Sequence, residues 1–221
     1  MKKAISLADT VKMIPNHASL MIGGFVGIGS PHRIIDELVR QKRSGLTIIA
    51  NDTGRPDFGI GLLIHAKLVK KVIASHIGTN PETQQQMIAK EIEVELCPQG
   101  TLAECIRAAG YGLGGVLTPT GLGTTVAEGK RTVEVDGNKF LLEVPLKADF
   151  ALVSARRSDY RGNLEYALTA RNFNPMMAMA ADIVIAEADE IVPVGVIPPD
   201  AVVTPHIIVD YVIERNSSHG H

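Results

Sequence analysis

Tryptophan is absent from this 221-residue chain, and aromatic residues of all kinds make up only 4% of it. Proteins that hold single-stranded nucleic acid stack bases on aromatic side chains, so the shortage argues against that class. Cysteine is scarce too. Cys97 and Cys105 lie too far apart for a Cys-x-x-Cys site and are too few for a disulfide framework, which fits a reducing cytoplasm. Neither sign of charge prevails: 22 Lys and Arg face 24 Asp and Glu, a formal net charge of -2, so nothing draws the chain to nucleic acid or to an acidic membrane surface. No apolar run approaches the length that spans a membrane. Met1-Lys2-Lys3 opens as a signal peptide does, but Asp9 and Lys12 interrupt the stretch before an apolar region can form. A soluble, cytoplasmic protein is expected. No repeat, low-complexity block or linker divides the sequence, and its length suits one domain over 1–215 with a disordered tail at 216–221.

What the chain has in quantity is apolar residues, 45% of it, and 21 glycines. Residues 20–33 concentrate both. Leu20, Met21 and Ile22 suit a strand buried on both faces, and Gly23, Gly24, Gly27 and Gly29 follow in a loop that can take positive φ and approach a ligand closely. Ser30 is expected to cap the next helix and Pro31 to open it. The unpaired N–H groups and positive dipole end of such a helix make a seat for phosphate or carboxylate. A strand-to-helix turn that needs glycine only for tight packing reads the same way.

Ser6 with Asp9 predicts a short capped helix before a strand at 19–22. Ile34, Ile35, Leu38 and Val39 recur at helical spacing between Pro31 and Gln41. Further strands are predicted at 46–50, 71–74, 94–96, 150–153 and 183–187, and further helices at 60–66, after Pro81, at 102–109 and at 175–181. This alternation predicts an α/β fold with an open, mainly parallel sheet, helices on both faces, and functional loops at the carboxyl ends of the strands. Asn51-Asp52-Thr53-Gly54, residues 75–81 and Pro98-Gln99-Gly100-Thr101 fall in such loops. Residues 110–123 hold too much glycine for a regular element and too many apolar residues for a disordered linker, so an ordered loop at a buried edge is expected. Two short runs, 132–135 and 139–142, separated by Asp136-Gly137-Asn138, predict a small antiparallel hairpin. Pro193, Pro198, Pro199 and Pro205 predict extended edge structure and turns near the end.

Familiar catalytic motifs are missing or misplaced. Gly110, Gly112 and Gly115 match a G-x-G-x-x-G spacing but follow a helix, and the run from Gly27 puts His32 where the third glycine belongs, so a dinucleotide enzyme is disfavoured. No Walker lysine follows a glycine loop, and no Gly-x-Ser-x-Gly elbow occurs. The histidines, His17, His32, His65, His76, His206, His219 and His221, never reach zinc-ligand spacing with cysteine or carboxylate, so no metal is expected beyond adventitious binding at His219 and His221. His32 and His76 stand out because they fall in βα loops.

Asn16, the triplet Leu20-Met21-Ile22, then Gly23-Gly24-Phe25, Gly29 and Pro31 resemble in type and spacing the first signature of family I coenzyme A transferases. The similarity continues through residues 49–54, 73–81, Pro98-Gln99-Gly100-Thr101, Thr118-Pro119-Thr120-Gly121, Gly162-Asn163 and Asn172-Phe173-Asn174-Pro175. It covers nearly the whole chain and resembles the α (A) subunit of the bacterial acetate or butyrate:acetoacetate type. His17 departs, standing where the family has glycine or asparagine, and His206 replaces an expected glycine.

The resemblance implies a ping-pong reaction that moves CoA between a short-chain acyl-CoA and a free carboxylate. Such a reaction needs a carboxylate nucleophile, which passes through a mixed anhydride to a thioester with CoA. In the family that nucleophile is a glutamate in a Ser-Glu-Asn-Gly context on the β subunit. This chain has no such tetrapeptide, and Glu104, Glu128, Glu165 and Glu187 are not assigned the role. A β-subunit partner and inactivity of the chain alone follow, with acyl-CoA as substrate and no tightly bound cofactor. By resemblance Gln99 and Asn51 supply oxyanion donors, while Gly24, Phe25, Val26, Gly27, Ile28, Gly29 and Ser30 face CoA. From the residues alone, Asn51 and Gln99 read as turn residues bonding their own backbone. The rival readings are the α (A) subunit of a succinyl-CoA:3-oxoacid transferase, an acyl-CoA-binding module without turnover, and a sugar-phosphate isomerase acting alone.

Overall fold

Alternation inside the apolar strands sorts the core into two halves. Leu20, Ile22, Ile48, Val72 and Leu152 join one buried cluster, while Met21, Ile49, Ile73, Ala151 and Val153 join a second. Each of these strands is therefore apolar on both faces, and only a sheet with helices on both sides can bury it.

The computed structural model describes residues 5–214. The expected tail at 216–221, with His219 and His221, and the opening Met1-Lys2-Lys3 lie outside the described residues. In chain order the elements begin with α1 (Leu7–Lys12), β1 (Ser19–Ile22), α2 (His32–Arg40), β2 (Leu46–Asp52), α3 (Ile60–His65) and β3 (Val69–His76). There follow α4 (Pro81–Ile88), β4 (Glu93–Leu96), α5 (Gln99–Gly110), β5 (Val116–Thr118), β6 (Thr132–Val135) and β7 (Asn138–Glu143). The last are β8 (Ala148–Asp159), β9 (Leu164–Glu165), α6 (Asn174–Met179), β10 (Ala181–Val192) and β11 (Tyr211–Glu214).

The main sheet runs β11-β10-β8-β1-β2-β3-β4 with every neighbouring pair parallel, and β9 adds antiparallel to β8. Val11 of α1, Ile34, Ile35 and Leu38 of α2, and Leu63 and Ile64 of α3 fill the first cluster. Leu102 and Ile106 of α5 with Met177 and Ala178 of α6 fill the second, on the opposite face. From β1 the chain builds outward through β2, β3 and β4, then returns to place β8, β10 and β11 on the other side. The order reverses between β1 and β8, the kind of position at which open α/β sheets leave room for a ligand.

Several boundaries differ from expectation. β8 and β10 each run for 12 residues, well past their apolar centres, because they pair with each other along nearly the whole length, out to Asp159 opposite Val192. The hairpin is a three-stranded sheet: Val116–Thr118, inside the stretch expected to be a loop, pairs antiparallel with β7. Nor is that stretch buried, since Tyr111 is 60% and Leu117 42% exposed. The small sheet is separate from the main one and contacts α5 through β5. α5 starts at Gln99, three residues before the predicted position, and the proline-rich end supplies the edge strand β11.

His17 sits in the left-handed region at φ 66, which glycine and asparagine adopt with least strain. His17→Asn is expected to stabilise the fold by about 0.5–1 kcal/mol, read as a melting temperature raised by roughly 2–3 °C.

Candidate active site

The loops after β1, β2 and β3 and the start of α5 meet at one end of the sheet. The glycine loop is a tight turn in which Phe25 and Ile28 exchange backbone hydrogen bonds of 3.0 Å. Its two central residues, Val26 at φ 49 and Gly27 at φ 85, both take positive φ, as primed hairpin turns require. Glycine meets that demand without strain, whereas a β-branched residue at positive φ persists only where its surroundings hold it.

Two asparagines hold this loop from behind. Asn172 accepts the Gly24 N–H at 3.1 Å and donates to the Ile28 carbonyl at 2.9 Å. Asn174 is fully buried where β1 ends, beside Ser154 in the middle of β8. It accepts the Ser154 N–H and donates to the carbonyls of Gly29 and Ala170, each at 2.9 Å. Gly23 must be glycine here, because a methyl group would collide with the Asn174 amide oxygen.

Asn51 and Gln99 do touch. Gln99 Nε2 donates to Asn51 Oδ1 at 2.6 Å, and Asn51 Nδ2 donates to Asp52 Oδ2 at 2.7 Å. Ser75 Oγ donates to the Asn51 backbone carbonyl at 2.7 Å and lies 3.2 Å from Oδ1. Neither side chain is a turn residue bonding its own backbone. Gln99 is reached from the first turn of α5, directly after Pro98, and not from the end of β4.

The loop after β2 repeats the outline of the glycine loop. Arg55 and Phe58 bridge across Pro56-Asp57 as Phe25 and Ile28 do across Val26-Gly27, and Gly59 answers to Gly29, but Pro56 and Asp57 do not share the positive φ of Val26 and Gly27. The two loops interlock: the Phe58 ring centroid is 4.3 Å from that of His32, and His32 Nε2 lies 3.0 Å from the Gly27 carbonyl. His76 ends β3 directly opposite Asp52 in the strand register.

A coenzyme A transferase family model matches residues 4–215. The chain belongs to the coenzyme A transferase family. It is 52% identical over 216 residues to the alpha subunit of acetate CoA-transferase from Escherichia coli K12, covering 98% of each chain. It is 49% identical over 213 residues to the acetoacetyl-CoA:acetate/butyrate CoA transferase alpha subunit of Clostridium acetobutylicum, covering 96% of this chain and 98% of that one. Its fold matches an acyl-CoA transferase of E. coli O157:H7, solved as a thioester complex with CoA, at a TM-score of 0.86 and 22% identity. The match covers 98% of this chain but 48% of that one, so the present chain spans about half its length. Glutaconate CoA-transferase of Acidaminococcus fermentans gives a TM-score of 0.84 at 18% identity, over 96% of this chain and 75% of that one.

In this transferase chain the expected anion seat at the start of α2 is already filled. Ser30 makes no capping bond and turns its hydroxyl against Gly24. The buried Glu187 of β10 takes over instead, accepting the N–H groups of Arg33 at 3.3 Å and Ile34 at 3.1 Å. A side chain from a distant strand thus occupies the positive end of the helix. Sequence reading gave no role to Glu187 or Asp52 and saw in Asn172 and Asn174 only motif positions. Polar residues set within apolar strands were the available signal for Asp52 and Glu187.

Beside the loop, Phe25, Ile28, Leu168, Thr169, Arg171 and Asn172 line an apolar groove of about 670 Å³. Leu168 is 95% exposed there and sits at φ 48. Away from the loop tip, burial pushes the Cys97 thiol up to about 12 and Cys105 to about 11, with the neighbouring thiol at Cys97 and Glu143 at both adding to the shift. Because the thiolate is the reactive form, alkylation of either cysteine in the folded chain at pH 8 is expected to run more than about 100-fold slower than in a free peptide. Timed labelling read by mass spectrometry checks it.

Proposed function

We propose that this chain is the α subunit of a two-component CoA-transferase that exchanges CoA between a short-chain acyl-CoA and a free acid such as acetate, butyrate or acetoacetate. In this reading the exchange is ping-pong through a glutamyl-CoA thioester, and the glutamate belongs to a β subunit. The carrying observation is the side-chain contact between Asn51 and Gln99, 48 residues apart in sequence, at the sheet end that bears the glycine loop. Each amide nitrogen has two hydrogens and spends one on the chain of contacts, which leaves each with one for a developing oxyanion. Both donors are neutral, so they stabilise a transient anion without permanently neutralising an attacking carboxylate.

In this proposal residues 24–30 face CoA by their exposed tip, Phe25 and Ile28, and shape the thioester pocket. The filled start of α2 argues that the CoA phosphates lie elsewhere. Acyl-CoA enters as substrate, with no tightly bound cofactor. The apolar groove at Leu168 is surface that a partner subunit would cover. Among the described residues no helix is long and apolar enough to cross a membrane, and the cytoplasm is the compartment this reading assigns. A second choice of acids has support from the A-type subunit of succinyl-CoA:3-ketoacid coenzyme A transferase from Helicobacter pylori J99, which is 44% identical over 194 residues, 88% of this chain and 84% of that one.

Co-expression with the β subunit, followed by an assay of acetate-dependent CoA transfer from acetoacetyl-CoA, tests the reading. Transfer by the complex and none by the chain alone is expected. No transfer with any of several short acids would sink it, and activity of the isolated chain would refute the division of labour. Gln99→Ala is expected to lower kcat roughly 100-fold with the complex intact. Disassembly of that variant would assign Gln99 a structural role instead.

A further inference from the structure

Asp52 ends β2, is 3% exposed and forms no ion pair among the described residues. Among the described residues its oxygens meet only N–H groups. Oδ1 accepts the Gly54 N–H at 2.7 Å, while Oδ2 accepts the Val26 N–H at 2.8 Å and Asn51 Nδ2 at 2.7 Å. A buried carboxylate with no cation is tolerable only when such donors satisfy it.

An acceptor ringed by donors dictates what faces it. Asn51 must turn its nitrogen toward Asp52, which sends Oδ1 the other way, and Gln99 must then present Nε2. Turning Asn51 over would set an amide oxygen against a carboxylate and an N–H against an N–H, leaving buried polar atoms unpaired. The same Oδ2 holds Val26 at the tip of the glycine loop, in a conformation that a β-branched residue keeps only with support. One carboxylate therefore touches both the amide pair and the loop.

We propose that Asp52 is a positioning residue for CoA transfer: its carboxylate sets the direction of the amide chain from Gln99 through Asn51 and ties that chain to the tip of the glycine loop. This rests on the reading of Asn51 and Gln99 as oxyanion donors. Asp52 meets no reacting atom itself and acts through the groups it orients.

The test is an exchange of the two side chains in the full-length protein. Asp52→Asn sets an NH2 group among N–H donors and is expected to lower the melting temperature. Asn51→Asp sets two buried carboxylates side by side and is expected to lower it further. In the double variant the amide now at position 52 donates to the carboxylate now at position 51, so the clash of two carboxylates is gone, and the Val26 N–H alone is left without its acceptor. Asp52→Asn should therefore raise the melting temperature of the Asn51→Asp protein by about 3 °C or more, although it lowers that of the wild type. A fall in both backgrounds would overturn the proposal. Should Asp52→Asn alone fail to fold, Asn51→Asp against the double variant still reads the sign.

In the assembled enzyme, Asp52→Asn should lower kcat roughly 10–100-fold while KM for acyl-CoA changes less than about threefold. An unchanged kcat beside a lowered melting temperature would make Asp52 merely structural and defeat the proposal. A wild-type complex without transferase activity would count against the functional reading, and the melting exchange would still decide the direction of the amide chain.

Discussion

Asn174→Ala is expected to cost the fold roughly 3–5 kcal/mol, more than any other truncation of a polar side chain near the site. The amide is fully buried where β1 ends, beside the middle of β8, with no bulk solvent to take over its hydrogen bonds. Its loss strands one N–H, that of Ser154, and two carbonyls, those of Gly29 and Ala170. It also leaves a cavity beneath Gly23. Asn174→Asp should be nearly as harmful: one oxygen still accepts from Ser154, but the other faces two carbonyl oxygens with nothing to donate. Urea unfolding of the isolated chain reads both as a lowered midpoint at unchanged slope. A loss below about 1 kcal/mol would show that this junction is held by something else. At a position where open α/β sheets leave room for a ligand, this chain has filled the room with its own side chain, and the candidate site has moved one strand over, to the ends of β1 and β2.

That shift marks the limit of what could be read in the sequence. The parallel sheet, its two covered faces and the positions of the βα loops follow from local pattern, because buried strands such as Leu20-Met21-Ile22 are apolar at every position while the helices show one apolar stripe. The family likeness pointed to Asn51 and Gln99 as donors of one pocket, but nothing local to either residue says that their side chains touch. Glu187 at the start of α2 was invisible for a stronger reason. The cap is supplied from 154 residues away, whereas sequence rules for capping look within one turn. The lengths of β8 and β10 were likewise hidden, because their outer halves are held by pairing with each other and not by apolar content. The bridged turns after β1 and β2 have no common sequence mark, because Phe-Val-Gly-Ile and Arg-Pro-Asp-Phe share no residue at matching positions and their central residues differ in the sign of φ.

The second of these loops carries the other large effect. Gly61→Ala is expected to cost more than about 4 kcal/mol or to prevent folding, because its methyl group would run into the Arg55 carbonyl, a backbone atom that cannot rotate aside. Gly61 lies in the first turn of α3, and the chain between Thr53 and Gly59 folds directly onto it, with the Gly61 N–H bonded to the Phe58 carbonyl at 3.2 Å. Relief would require the whole loop to lift. Lifting it would draw Phe58 off His32 and pull Gly54 from Asp52, so any folded fraction should also lose order at the glycine loop, seen as faster amide exchange at Val26 and Ile28. Gly100→Ala is the matched control. Gly100 also lies in the first turn of a helix, but a methyl group there meets open space, and the gain in helix propensity should stabilise the chain by about 0.5–1 kcal/mol. Opposite signs for one chemical change at two equivalent helical positions would separate close packing of the β2 loop from any general effect of removing glycine. Equal and mild effects would mean that the loop yields easily and does not hold the site.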